Sequence, residues 1–93
     1  MKLGIIGSGL IVQEFLPDLI AMADMEILAI QGTAASRDTV KNLCARYQIP
    51  YAVCSFEELC ATGIDTVYVA VPNFLHFEYC RKALESGYNV IVE

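Results

Sequence analysis

The chain has 93 residues, 56% hydrophobic and 18% charged, with a formal net charge of −5. That describes one small globular domain with little stability to spare. Six basic residues, scattered among eleven acidic ones, argue against a nucleic-acid partner and offer no attraction to an anionic membrane surface.

Cys44, Cys54, Cys60 and Cys80 contain no C-x-x-C pair, and His76 is the one histidine. No metal site is therefore expected, and the cysteines read as small apolar core residues in a reducing compartment. Met1 and Lys2, the apolar stretch to Val12 and Ala21-Met22-Ala23 imitate a secretory signal. Gln13, Glu14, Pro17 and Asp18 interrupt that run, and glycines at 4, 7 and 9 weaken it as a helix. The expected location is the cytoplasm, and no stretch is long enough to span a bilayer.

In chain order, Lys2 to Ile6 is a short apolar run ending at Gly7 and reads as a buried strand. Leu10 to Ala23 has apolar residues at helical spacing, with Pro17 inside, which should kink the helix or remove one backbone bond. Glu26 to Ile30 reads as a second strand, followed by the small-residue loop 32–35. Ser36 is placed to cap a helix whose buried stripe is Val40, Leu43, Cys44 and Tyr47. Ile49-Pro50 ends it, and Tyr51 to Cys54 is a third strand. Ser55 and Glu58 form a capping box for a brief helix through Cys60, which Gly63 terminates. Thr66 to Val71 is almost continuously apolar, as expected of a strand covered on both faces. Asn73 is placed to cap a fourth helix running to Ser86, with Gly87 as its left-handed stop. Asn89 to Val92 is a fifth strand.

Strict β-α alternation predicts parallel strands, right-handed crossovers and helices on both faces. The expected fold is a doubly wound, three-layer α-β-α Rossmann sheet of five strands in the order 3-2-1-4-5, spanning residues 1–93. A strand that ends at Glu93 normally feeds another element, so the chain is expected to be the front part of a longer protein.

The most informative segment is Gly4-Ile5-Ile6-Gly7-Ser8-Gly9-Leu10-Ile11-Val12. Gly7 permits a tight turn off the first strand, and Gly9 permits close approach of the backbone to a pyrophosphate. The helix starting near Leu10 points its free N–H groups and positive dipole end at the phosphates. Gly7, Ser8, Gly9, Leu10 and Ile11 are thus candidate pyrophosphate contacts. Val12 stands at the third small position of G-x-G-x-x-G, so the match is partial. Two other readings use the same turn: a glycine loop that only packs, and an S-adenosylmethionine site.

At the end of the second strand an acidic residue would bond the 2′-hydroxyl of NAD, and Gln31 stands there instead. Ser36 and Arg37 follow, a hydroxyl and a guanidinium suited to a 2′-phosphate, which favours NADP over NAD. The alternative is that Ser36 only caps and Arg37 only faces solvent. Val71, Pro72 and Asn73 lie at the end of the fourth strand and in the loop after it, at the point where strand order reverses, and should reach the ribose and nicotinamide. His76, on the first turn of the next helix, either joins that site or is a satisfied residue sharing a face with Cys80 and Ala83.

These segments resemble the N-terminal domain of the Gfo/Idh/MocA oxidoreductases. The likeness covers the whole chain and rests on the glycine segment, Ala35-Ser36-Arg37, Tyr51 with 55–59, 65–73 with His76, and 83–87 through 90–93. It implies NAD(P)-dependent hydride transfer on a sugar, polyol or related diol. It also implies a lysine directly after Glu93 that acts near the reacting hydroxyl, which would put Glu93 beside the cofactor. A second domain would carry the remaining catalytic groups and much of an oligomer interface. No catalytic residue is then expected within 1–93, and the chain alone should bind cofactor weakly and catalyse nothing. Two departures stand out: Val12, and a stretch at 31–34 longer than the common family form. A non-catalytic nucleotide-sensing module is the alternative from a different class.

Overall fold

Because strand and helix alternate, each crossover returns the chain to the same end of the sheet, and only parallel pairings are available. A computed structural model describes residues 1–92, and of Asn73 and Phe74 the backbone alone. Its elements are β1 (Lys2–Ile6), α1 (Leu10–Ala21), β2 (Glu26–Gln31), α2 (Arg37–Tyr47), β3 (Tyr51–Val53), α3 (Phe56–Cys60), β4 (Thr66–Val69), α4 (Asn73–Glu85) and β5 (Asn89–Val92). All strand pairs are parallel, in the order β3-β2-β1-β4-β5. The expected Rossmann sheet is the observed one. α1 stops at Ala21 instead of Ala23, β2 runs on to Gln31, and β3 and β4 stop early at Val53 and Val69.

The sheet is covered on both faces. On one, Leu3, Ile5, Ile27 and Ile30 pack against Val12 and Leu16 of α1 and Val40, Leu43 and Cys44 of α2. On the other, Ile6, Ala29, Val53, Val67 and Val69 pack against Leu59 of α3 and Ala83 of α4. Val12 is 1% exposed inside the first cluster, so the helix accepts it without losing contact with β1. One irregularity interrupts the β1–β2 ladder. Leu3 pairs with Ile27 but Gly4 pairs with Ala29, leaving Leu28 as a bulged extra residue. Helix α1 continues through Pro17, so the outcome there is a missing hydrogen bond within an unbroken helix.

The helix ends correct several expectations. Ser36 occupies the position before α2, but its hydroxyl makes no cap bond. Its backbone (φ −103°, ψ 14°) is not extended, and Oγ turns back to accept from the Thr33 N–H at 2.9 Å. Ser55 Oγ does accept from the Glu58 N–H, at 3.2 Å. The return half of that capping box is displaced by one residue: Glu58 Oε1 accepts from the Cys54 N–H, not from that of Ser55. Asn73 is the first residue of α4 and Pro72 holds the capping position, because the chain is already helical at Asn73; the Asn73 side chain lies outside the described residues. Gly87 does end α4 with φ +87°, where Tyr88 N–H reaches Ala83 O and Gly87 N–H reaches Leu84 O.

Among the described residues no helix is long and apolar enough to cross a membrane, and no cluster of His, Cys, Asp and Glu could hold a metal ion. Of the four cysteines Cys44 alone is buried, and burial pushes its thiol up from the ordinary value. The other three are half-buried.

Candidate functional site

The site is built where β1 hands over to α1. Gly7 leaves the strand with φ +122°, a conformation that strains any residue with a side chain. Its N–H donates to Gln31 O at 2.9 Å, and the Ala70 N–H donates to Ile6 O at 2.9 Å. The turn is therefore clamped between the ends of β2 and β4. A Cβ at Gly7 would lie 2.2 Å from Ala70 O. Gly9 precedes α1 with ordinary φ −74° and has nothing within 4 Å of where a Cβ would be. No side chain caps α1, so the N–H groups of its first turn remain available to a ligand. Gln13 steadies the turn from behind, donating from Nε2 to Ser8 O at 3.2 Å.

A cleft opens in front of this turn. Gly7, Ser8 and Gly9 form one wall, Gly32, Thr33 and Ser36 a second, and Val71 and Pro72 with Leu75 and Tyr79 of α4 a third. Beside it lies an apolar hollow between Gly9, Leu10 and Ile11 of the α1 start and Val71, Pro72 and His76 of the β4–α4 loop and helix. Leu10 and Ile11 are largely exposed there. Arg37 is not in either space. It lines a third hollow, with Lys41 one helical turn on, Cys54 just after β3 and Glu58 of α3. Glu93 lies outside the described residues.

The structure thus brings Gly7, Ser8, Gly9, Ser36, Val71 and Pro72 around one cleft and places Leu10, Ile11 and His76 around its continuation. Arg37 is set apart on the α2 flank, next to Ser36 in sequence. Sequence reasoning passed over Lys41, although its i,i+4 spacing from Arg37 marks a two-cation face of α2. It also missed how Gln31 is held. Gln31 is 4% exposed, and its Oε1 has no hydrogen-bond partner among the described residues. A buried acceptor of that kind costs about 1–3 kcal/mol. Gly32, just after it, leaves no room for a side chain: a Cβ would lie 2.5 Å from Val40 Cγ2 and 2.6 Å from Ser36 Oγ.

The clamped turn, the uncapped helix start and the cleft at the reversal of strand order fit a dinucleotide. A model of the oxidoreductase family with an NAD-binding Rossmann fold matches residues 1–93. The chain belongs to the Gfo/Idh/MocA oxidoreductase family. Within this family it corresponds to the NAD-binding Rossmann domain. It is 33% identical over 97 residues to the oxidoreductase ORF334 of Rhizobium meliloti, covering 100% of this chain and 28% of that relative. It is 35% identical over 97 residues to a D-xylose 1-dehydrogenase (NADP(+)) of Haloferax volcanii, again covering 100% and 28%. Among solved structures it is similar to KijD10, a 3-ketoreductase from Actinomadura kijaniata in complex with NADP and TDP-benzene. That similarity has a TM-score of 0.88 at 30% identity and covers 99% of this chain and 28% of that one. The chain therefore spans little more than a quarter of the length of these relatives.

Proposed function

We propose that this chain holds NADP(H) for an oxidoreductase that interconverts a hydroxyl and a carbonyl group on a sugar, polyol or related diol. The observation that carries the reading is the glycine turn, locked by Ala70 at Gly7 and open at Gly9 before the uncapped start of α1. Gly7, Ser8, Gly9, Leu10 and Ile11 hold the pyrophosphate, largely through backbone N–H groups. Val71, Pro72 and His76 face the nicotinamide half, and the family resemblance assigns Asn73 and Glu93 to the same half of the cofactor. When bound, the nicotinamide supplies or accepts the hydride.

Several observations support NADP over NAD. Gln31, an uncharged amide, ends β2 where a carboxylate would grip a 2′-hydroxyl. Ser36 edges the cleft, and Arg37 and Lys41 stand on the flank just behind it, within one turn of α2. Both the xylose dehydrogenase and the KijD10 complex are named with NADP. By name these relatives are a D-xylose dehydrogenase and a 3-ketoreductase, which favours an enzyme over a nucleotide sensor.

The test is a thermal-shift and fluorescence titration with NADP(H), NAD(H) and S-adenosylmethionine. NADP(H) should raise the melting temperature most. Arg37→Ala should weaken NADPH about tenfold, the loss of one charge-assisted phosphate contact, and leave NADH nearly unchanged. Equal losses for both cofactors would remove the case for NADP, and a response to S-adenosylmethionine alone would remove the dinucleotide reading.

A further inference from the structure

Gln31 ends β2 with a buried Oε1 that has no donor among the described residues. It pairs across the ladder with Ile6 and shares the face of Ala29, turned toward α3 and α4. Leu75 and Tyr79 of α4 line the same cleft. Native interiors rarely leave such an acceptor unpaired, and where they do, an absent ligand atom is a physical reason for it.

The two sides of the cleft differ in chemistry. Toward α2 it is edged by Thr33 and Ser36, whose hydroxyls suit a sugar and its phosphate. Toward α4 it is walled by Ile6, Leu75 and Tyr79, an apolar and aromatic surface that suits a planar base. Gln31 belongs to the second side. The group on an adenine edge that answers a carbonyl acceptor is its exocyclic amine.

We propose that Gln31 Oε1 accepts a hydrogen bond from the adenine amine of the dinucleotide, and so makes the cleft selective for an adenine base. This rests on the dinucleotide reading above. The amide carbonyl carries no net charge, so it performs this role without repelling a phosphate on the adjoining ribose. The cost falls on the empty protein, which keeps an unpaired acceptor until the base arrives.

The experiment compares NADPH with its hypoxanthine analogue, in which a carbonyl oxygen replaces the amine. The wild-type chain should bind NADPH about tenfold more tightly than the analogue, the effect of one buried hydrogen bond lost with its partner left unpaired. Gln31→Met keeps the length of the side chain and removes the acceptor. It should bind the two ligands alike, while the ligand-free variant melts at or above the wild-type temperature. A merely structural glutamine would do the reverse, lowering the melting temperature and weakening both ligands equally. The proposal is overturned if wild type does not distinguish the two ligands, which needs no variant to establish. It is equally overturned if Gln31→Met keeps the wild-type preference. Either result with NADPH still bound by wild type leaves the cofactor reading standing. A wild-type chain that binds neither ligand refutes both.

Discussion

Replacing the two glycines of the turn one at a time should separate folding from binding. At Gly7, alanine must adopt φ +122° with a methyl 2.2 Å from Ala70 O. Left-handed backbone costs an L residue about 1–2 kcal/mol, and forcing extra volume into packed structure costs about 1–3 kcal/mol. Neither contribution relaxes cheaply, because the obstructing atom is backbone at the end of β4. Gly7→Ala should therefore lose about 2–5 kcal/mol of a total near 5–14 kcal/mol for a chain of this size. The melting midpoint would fall by about 10 °C or more. At Gly9 the same methyl meets nothing and φ is −74°, so the loss should not exceed about 1 kcal/mol, that of a poorer helix cap. Gly9→Ala should instead weaken NADPH at least about tenfold, since its methyl occupies the side from which the pyrophosphate approaches. Thermal unfolding followed by circular dichroism reads the first quantity, and NADPH fluorescence the second. A stable Gly7→Ala would contradict the clamped turn, and a Gly9→Ala with native affinity would contradict phosphate binding there.

Two further outcomes follow from side-chain hydrogen bonds. The Thr66 hydroxyl at 2.8 Å, then the Lys2 backbone N–H and the nearby positive charges, hold the Asp65 carboxyl below its ordinary value of 3.8. The unfolded chain then binds that proton more readily, so the stabilisation is present above pH 3.8 and disappears as pH falls through the lower folded value. Asp65→Asn should flatten this acid limb in urea unfolding midpoints, and an unaltered pH dependence would refute the assignment. Ser55→Ala removes the Oγ that caps α3 and should cost about 1 kcal/mol, lowering the melting midpoint by about 4–8 °C; no change would show that the cap is immaterial.

Some of this molecule is readable without coordinates, and for identifiable reasons. Val-rich runs at Thr66–Val69 and Asn89–Val92 alternate with the helical stripe Val40, Leu43 and Cys44, and that alternation admits few topologies. The glycine turn is legible because the tight exit from β1 needs a residue without a side chain at Gly7. Other features depend on small rotations that no residue pattern records. The Ser36 hydroxyl faces Thr33 because of a ψ of 14°, and Glu58 reaches Cys54 instead of Ser55 by a shift of one residue. Arg37 lines the hollow at the end of β3, although Ser36 beside it edges the glycine cleft.

The bulge at Leu28 has a consequence for the cleft as well as for the shape of the sheet. In an uninterrupted ladder Gly4 would sit opposite Leu28 and Ile6 opposite Ile30, and Gln31 would point toward α1 and α2. The extra residue acts as a spatial frameshift: it sends Ile30 into one core and the amide of Gln31 into the cleft. A β2 of the same length with the bulge flattened would exchange those destinations without altering the chemistry of any side chain in the strand. The bulge itself thus decides which group the end of the strand presents to the cleft.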